Sequence, residues 1–203
     1  MRIIGGEWRG RKIEEPRGRD VTRPTTDRVR ESIFSSVYSR LPDLADVIVL
    51  DAFAGSGALG IEALSRGAAS CTFVERDRTA RAVLEKNLST LGLKAPRVRV
   101  IAGDVFEAAE RHALVPSARF SLVLLDPPYA EQAALVRDLL VTLDDHGQLA
   151  DGCLIVYEHA LDDRQAVAEE FASGGRFALD GQKKYGKIGV TYLKYDERED
   201  CHA

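Results

Sequence analysis

Cysteine is scarce in this sequence and unpaired in its spacing: Cys71, Cys153 and Cys201 are scattered, with no C-x-x-C among them. That excludes a disulfide framework. With the four histidines far apart in the chain there is no zinc pattern either, and no metal is expected. Long apolar runs are also missing: none approaches the ~20 residues that span a bilayer. The N-terminal stretch "MRIIGGEWRGRK" lacks the apolar h-region of a signal peptide. A protein of the reducing cytoplasm with no membrane partner is the expectation. No internal repeat, low-complexity segment or linker to a second domain stands out. A chain of 203 residues is long enough for one sizeable core and short for two, and a monomer is the default.

Net charge is −4, which by itself argues against a nucleic-acid partner, but the charges are unevenly placed. Residues 1–40 hold ten Lys and Arg against six Asp and Glu, a surplus of four that leaves eight net negative charges on residues 41–203. A basic arm on an acidic body, or simply a solvated charged surface, both fit that asymmetry.

From residue 46 onward, strand and helix patterns alternate. Strands are expected at 47–55, 70–77, 97–104, 122–125 and 152–159, with helices at 57–67, 78–92, 105–113, 132–143 and 162–172 between and after them. In the 78–92 helix, Ala80, Val83, Leu84, Leu88 and Leu91 recur at helical spacing. Two last strands, 176–185 and 189–195, are close enough to pair as an antiparallel hairpin. Such βα alternation predicts an α/β fold: a doubly wound, seven-stranded, mostly parallel sheet with helices on both faces. Glycines interrupt the segment 1–24, which reads as a small basic β-hairpin extension. A helix over 24–41 follows, capped by Thr25 or Thr26, with Val29, Ile33, Val37 and Leu41 on one face. Residues 1–24, 25–196 and 197–203 are thus read as an extension, an α/β domain and a charged tail.

In open α/β sheets, ligands bind at the carboxyl ends of the strands, and four of those ends here carry informative residues. The first runs into "DAFAGSGALG" (51–60), where Gly55 and Gly57 permit a tight turn and a close ligand approach. Asp51 puts a carboxylate at that turn. A pyrophosphate favours bare N–H groups there, whereas a cationic ligand favours the acid; moreover Phe53 stands where the first glycine of G-x-G-x-x-G would be. Glu75 ends the second strand, placed to accept from both hydroxyls of a ribose. Asp104 ends the third and is either an acceptor for an adenine amino group or a helix N-cap. Asp126 ends the fourth, followed by Pro127, Pro128 and Tyr129. The prolines fix φ, supply no N–H and stiffen the residues before them. Rigid acceptors beside a flat ring suit a planar group bearing N–H donors. Ribose, adenine and a positive centre together describe S-adenosylmethionine.

In their order and spacing "DAFAGSGALG", "FVERD", "AGD" and "DPPY" resemble the motifs of class I S-adenosylmethionine-dependent methyltransferases that act on exocyclic amino groups. With "RIIGGEWRGRKIEEP" and "TRPTTDRVRESIF" upstream, the chain resembles the D type of bacterial 16S ribosomal RNA guanine-N2 methyltransferases over nearly its whole length. The resemblance implies methyl transfer to a guanine N2, numbered 966 in the usual rRNA numbering, within the small ribosomal subunit. It implies a cofactor site built from Asp51, Phe53, Ala54, Gly55, Ser56, Gly57, Glu75, Arg76, Asp104, Val105 and Asp126, covered by Arg23, Pro24 and Thr25. It makes Asp126 and the Pro127 carbonyl acceptors for the amino group, held by Pro128, with Tyr129 stacked on the extruded base. RNA would lie on the basic arm of Arg2, Trp8, Arg9, Arg11, Lys12, Arg17 and Arg19. Trp8 packing the hairpin is an equal alternative. Lys183, Lys184 and Lys187 form a second basic cluster, a pattern that also serves solubility alone.

The rivals are a DNA adenine-N6 or cytosine-N4 methyltransferase, a protein glutamine methyltransferase, and a catalytically silent cofactor-binding assembly factor. The span after Asp126, positions 127–203, is too short for the fold's remaining elements plus a DNA-recognition region. Cytosine-C5 chemistry needs a cysteine nucleophile, and Cys71 and Cys153 sit inside expected apolar strands.

Overall fold

A computed structural model describes residues 1–16, 26–114, 118–128, 133–172 and 175–197. Seven strands form one sheet: β1 (Ile48–Asp51), β2 (Ser70–Glu75), β3 (Val98–Ala102), β4 (Phe120–Leu125), β5 (Leu149–Ala160), β6 (Phe177–Tyr185) and β7 (Ile188–Tyr195). Their order is β3-β2-β1-β4-β5-β7-β6. β1 to β5 are parallel, β7 runs against β5, and β6 runs against β7. The chain reverses its direction of travel across the sheet between β1 and β4, so a crevice opens at their carboxyl ends.

Side chains alternate along each strand, so each strand feeds two cores. On one face Val49, Phe73, Leu122, Leu124, Leu154 and Val156 meet α1 (Asp27–Arg40), α2 (Ala58–Ser65) and α3 (Arg78–Thr90). On the other face Leu50, Val74, Val123, Leu125, Ile155 and Tyr157 meet α4 (Val105–Glu110), α5 (Ala133–Asp145) and α6 (Arg164–Ala172). Each fully buried Leu, Ile or Phe contributes about 1.5–3 kcal/mol of transfer free energy. The periodicity in α3 matches its packing: Ala80, Leu84 and Leu88 are buried. α1 begins at Asp27, where the Thr26 hydroxyl accepts from Val29 N at 3.4 Å; Pro24 and Thr25 lie outside the described residues.

The N-terminal segment, 1–16, makes one antiparallel bridge, Arg2 with Lys12. Across the same hairpin Ile3 N donates to Arg11 O, Gly10 N to Ile3 O and Ile13 N to Met1 O, while other amides reach side chains of the body. The Glu62 carboxylate on α2 accepts from Ile4 N and Gly5 N, both at 2.8 Å, and Ser65 Oγ accepts from Trp8 N. Asn87 on α3 accepts from Glu14 N and donates to Glu14 O and to Ser56 O in the turn after β1. Ile3, Trp8 and Ile13 complete the first core.

Candidate active site

Four carboxylates line the carboxyl edge of four adjacent strands. Glu75, Asp51, Asp126 and Glu158 each follow by two residues a side chain of the first core: Phe73, Val49, Leu124 and Val156 respectively. Alternation therefore puts all four on that same face of the sheet, in the order β2, β1, β4, β5. Leu125 pairs with Tyr157, so Asp126 and Glu158 stand level on neighbouring strands.

Asp51 is 1% exposed and its Oδ2 accepts from Gly60 N at 2.9 Å, in the first turn of α2. Burial pushes its carboxyl up to about 7, against the Gly60 hydrogen bond, with Asp126 and Glu75 adding like charge. Its Oδ2 thus fixes the turn. Gly57, the N-cap of α2, has φ +81°, and Gly55 has φ +53° with open space where a Cβ would stand, so the tight turn uses both glycines. Glu75 Oε2 accepts from Gly55 N and its Oε1 from Asp77 N, both at 2.7 Å. Each oxygen retains a second lone pair for a hydroxyl.

Asp104 caps α4: its Oδ1 accepts from Phe106 N at 2.8 Å, and its Oδ2 lies 3.6 Å from the Arg76 guanidinium. One oxygen thus serves the cap, as the N-cap reading expects. Phe106, which the motifs did not single out, faces Phe53 edge-on at 6.2 Å between centroids. Together with buried Val105 the two half-buried rings make an apolar wall between the ends of β1 and β3. Ala54, Ser56 and Gly57 are buried within the turn itself.

Asp126 keeps part of its surface open to the crevice, with Pro127 buried behind it and Pro128 half-buried. Desolvation raises the Asp126 carboxyl well above the usual carboxylate range, and the Glu158 charge adds to it. Glu158, 3% exposed, was missed in the sequence although "CLIVYEH" shows the same signal as "FVERD", an acid closing an apolar strand. Cys71 and Cys153 are buried and burial pushes both thiols up, so neither is a ring-attacking nucleophile. Tyr129, Arg23, Pro24, Thr25, Arg17, Arg19 and Cys201 lie outside the described residues.

The basic arm divides. Arg2 reaches the first turn of α1, where its Nε donates to Asp27 Oδ2 at 2.9 Å. Arg11 donates to Thr90 O at the end of α3. Trp8 is 7% exposed, with the Arg97 guanidinium 5.7 Å over its ring. Arg97 directly precedes β3 and donates to Leu64 O and Ala68 O, which places Trp8 at the amino edge of the sheet. The ring packs the core and offers no face for base stacking. Arg9 and Lys12 are exposed and form no ion pair among the described residues.

A family model described as Conserved hypothetical protein 95 matches residues 1–194. "Ribosomal RNA small subunit methyltransferase D" of Escherichia coli K12 is 42% identical over 185 residues, 91% of this chain and 87% of that protein. The chain belongs to this family, the D-type class I methyltransferases. "Putative rRNA methyltransferase YlbH" of Bacillus subtilis is 39% identical over 194 residues, 96% of this chain and 98% of that protein. Among solved structures, a putative methyltransferase from Escherichia coli, yhhF, aligns with TM-score 0.77 and 36% identity over 98% of this chain and 99% of that one. The family member's seven-stranded, mostly parallel sheet is the doubly wound fold expected from the βα alternation.

Proposed function

We propose that this protein transfers a methyl group from S-adenosylmethionine to the N2 amino group of a guanine in 16S ribosomal RNA. The observation that carries the reading is the row of four carboxylates on one face of the sheet, ending at Asp126-Pro127-Pro128. The names of the relatives, small-subunit rRNA methyltransferase D and putative rRNA methyltransferase, support the substrate class.

The residues present fit the cofactor. An acidic, desolvated edge favours a ligand with a positive centre. Glu75 offers acceptors for a ribose, while Phe53, Phe106 and Val105 offer an apolar slot for a base. When bound, S-adenosylmethionine supplies a methyl on a sulfonium, already activated as an electrophile. The chain's own task is therefore positioning. An aryl amine is a poor nucleophile because its lone pair is delocalised into the ring. Acceptors that hold both N–H bonds let the nitrogen become tetrahedral and aim that pair. Asp126 is one acceptor, strengthened by its raised proton affinity, and the Pro127 carbonyl is the other. Pro128 keeps both rigid, and Tyr129 stacks on the extruded base.

In this reading the RNA is met within an assembling small subunit by a monomer in the cytoplasm, with Arg23, Pro24 and Thr25 over the cofactor. Among the described residues no helix is long and apolar enough to cross a membrane. After Asp126 the described residues are taken up by α5, β5, α6, β6 and β7, which disfavours a separate DNA-recognition region.

The test supplies labelled S-adenosylmethionine with unmodified small subunits, free 16S RNA or duplex DNA, and identifies the modified nucleoside by mass. N2-methylguanosine in 16S RNA is expected. Methyladenine or methylcytosine in DNA would overturn the substrate. Cofactor binding with no acceptor labelled would favour a silent binding protein.

A further inference from the structure

The β6–β7 hairpin ends on the same edge of the sheet as the carboxylate row. β6 runs against β7 and β7 against β5, so β6 points the same way as β1 to β5. Its last residues, Lys183, Lys184 and Tyr185, and the turn through Gly186 and Lys187 therefore stand at the carboxyl edge. Ile188 pairs with Ala160, whereas Asp126 is level with Glu158 and Val190. The tip thus rises about 10 Å beyond Asp126 along the strands and lies two strands (β7) to three strands (β6), about 10–14 Å, to the side. Residues 8–11 of the basic arm lie at the opposite edge, beside Ser65, Thr90 and Arg97.

This arrangement meets a physical need of the site. A row of carboxylates draws a cationic cofactor but repels a polyanion. RNA held over such a pit requires cations at its rim. Lys183, Lys184 and Lys187 are exposed, and Arg164 joins them through its hydrogen bond to Gln182 Oε1. Among the described residues their acidic neighbours at the tip are Asp162 and Asp163, which leaves a positive surplus there on a chain whose net charge is −4. The tip is held rigidly: Leu161 N donates to Lys187 O at 2.9 Å, and Lys183 Nζ donates to Ser36 Oγ on α1 at 2.7 Å. Lys183 pairs with Val190 of the first core, so it faces the carboxylate side and is tethered there to α1. Lys184 pairs with Gly189 and faces the other side, so it and the turn residue Lys187 present their charge at the rim of the sheet rather than across the carboxylate face.

We propose that Lys184 and Lys187, at the tip of the β6–β7 hairpin, bind phosphates of the rRNA strand flanking the target guanosine where it crosses the carboxyl edge of the sheet beside the acidic site. The proposal rests on the methyltransferase reading for the identity of the strand. β6 is also the outermost strand, where lysines blunt edge-to-edge pairing, so the test must separate RNA contact from solubility.

The experiment measures binding of a 16S RNA fragment, without methyl transfer, to the wild type, to Lys184→Glu/Lys187→Glu, to Lys184→Ala/Lys187→Ala and to Arg9→Glu, over a range of salt. Cofactor affinity is read alongside as the control for folding. The expected result is about tenfold weaker RNA binding for the Glu pair, with unchanged cofactor affinity. For the Ala pair the log–log salt slope should fall by about 1.4, the value for two phosphates of a single strand. Arg9→Glu should change binding far less. RNA affinity and salt slope equal to wild type in both Lys pairs would overturn the proposal. A loss as large in Arg9→Glu would also overturn it. A wild type that binds RNA but transfers no methyl would sink the catalytic reading and leave the lysine comparison intact.

Discussion

Asp126 and Glu158 stand level on adjacent parallel strands and face the same side of the sheet, so the acceptor proposed for the amino group has a buried acid beside it. Asp126 must be ionised to accept an N–H bond well. Its carboxyl is raised by desolvation first and by the Glu158 charge second. The acidic limb of the pH–rate profile for methyl transfer should accordingly lie above the range of an ordinary carboxylate. In Glu158→Gln the like charge is gone, so the limb should move to lower pH. A limb that stays in place would show that Glu158 does not tune the site.

Asp51 bears on stability. Its folded-state carboxyl is raised to about 7 from 3.8. The folded protein therefore holds a proton that the unfolded chain releases across that window. Stability contributed by the protonated form is present below about 4 and lost as pH rises toward 7. Asp51→Asn can still accept from Gly60 N through its amide oxygen. Unfolding free energies of this variant should show a weaker decline between pH 4 and 7 than the wild type. Equal slopes would place the proton elsewhere.

Gly57 combines φ +81° with a site where an added Cβ would collide with Leu84 and come within 3.1 Å of Ile61. A non-glycine residue in this region costs roughly 1–2 kcal/mol, and overpacking adds about 1–3 kcal/mol. Gly57→Ala should lower the melting temperature and weaken cofactor binding together, since the turn and the helix start move as one. Calorimetry of unfolding and of cofactor binding checks both.

Asn87 bridges the N-terminal segment and the cofactor turn through Glu14 and Ser56. Asn87→Ala leaves the buried Ser56 O without its hydrogen bond, at about 1–3 kcal/mol, and releases the Glu14 backbone. Proteolysis within the N-terminal segment should then become faster, and cofactor affinity should fall with it. Unchanged cofactor affinity would limit Asn87 to anchoring the arm.

Much of this architecture was legible in the chain. Apolar strands ending in glycine or acid, each followed by a helical stripe, made the sheet readable, and the 176–195 segment announced its hairpin. Asp51, Glu75, Asp104 and Asp126 were found because each closes an apolar run. What each does was less legible, because it depends on neighbours far along the chain. The Asp51 carboxylate serves Gly60, and one Asp104 oxygen serves Phe106 N. Glu158 closes its apolar run as Glu75 does and was passed over all the same. Trp8 and Arg11 looked like an RNA arm, and only the packing of the N-terminal segment on α2 and α3 shows them at the far edge. In the sequence Lys184 and Lys187 read as a second basic cluster or as lysines serving solubility alone, and strand direction puts them at the same edge of the sheet as the site.

The central claim, that Asp126 holds the guanine amino group for transfer, is tested most directly by single-turnover methylation of 16S RNA with Asp126→Asn. Formation of N2-methylguanosine would be followed by mass with RNA and cofactor both saturating. A loss of about 100-fold or more is expected, because an amide offers a weaker acceptor and presents its own N–H groups to the substrate. A rate within twofold of wild type would contradict the account.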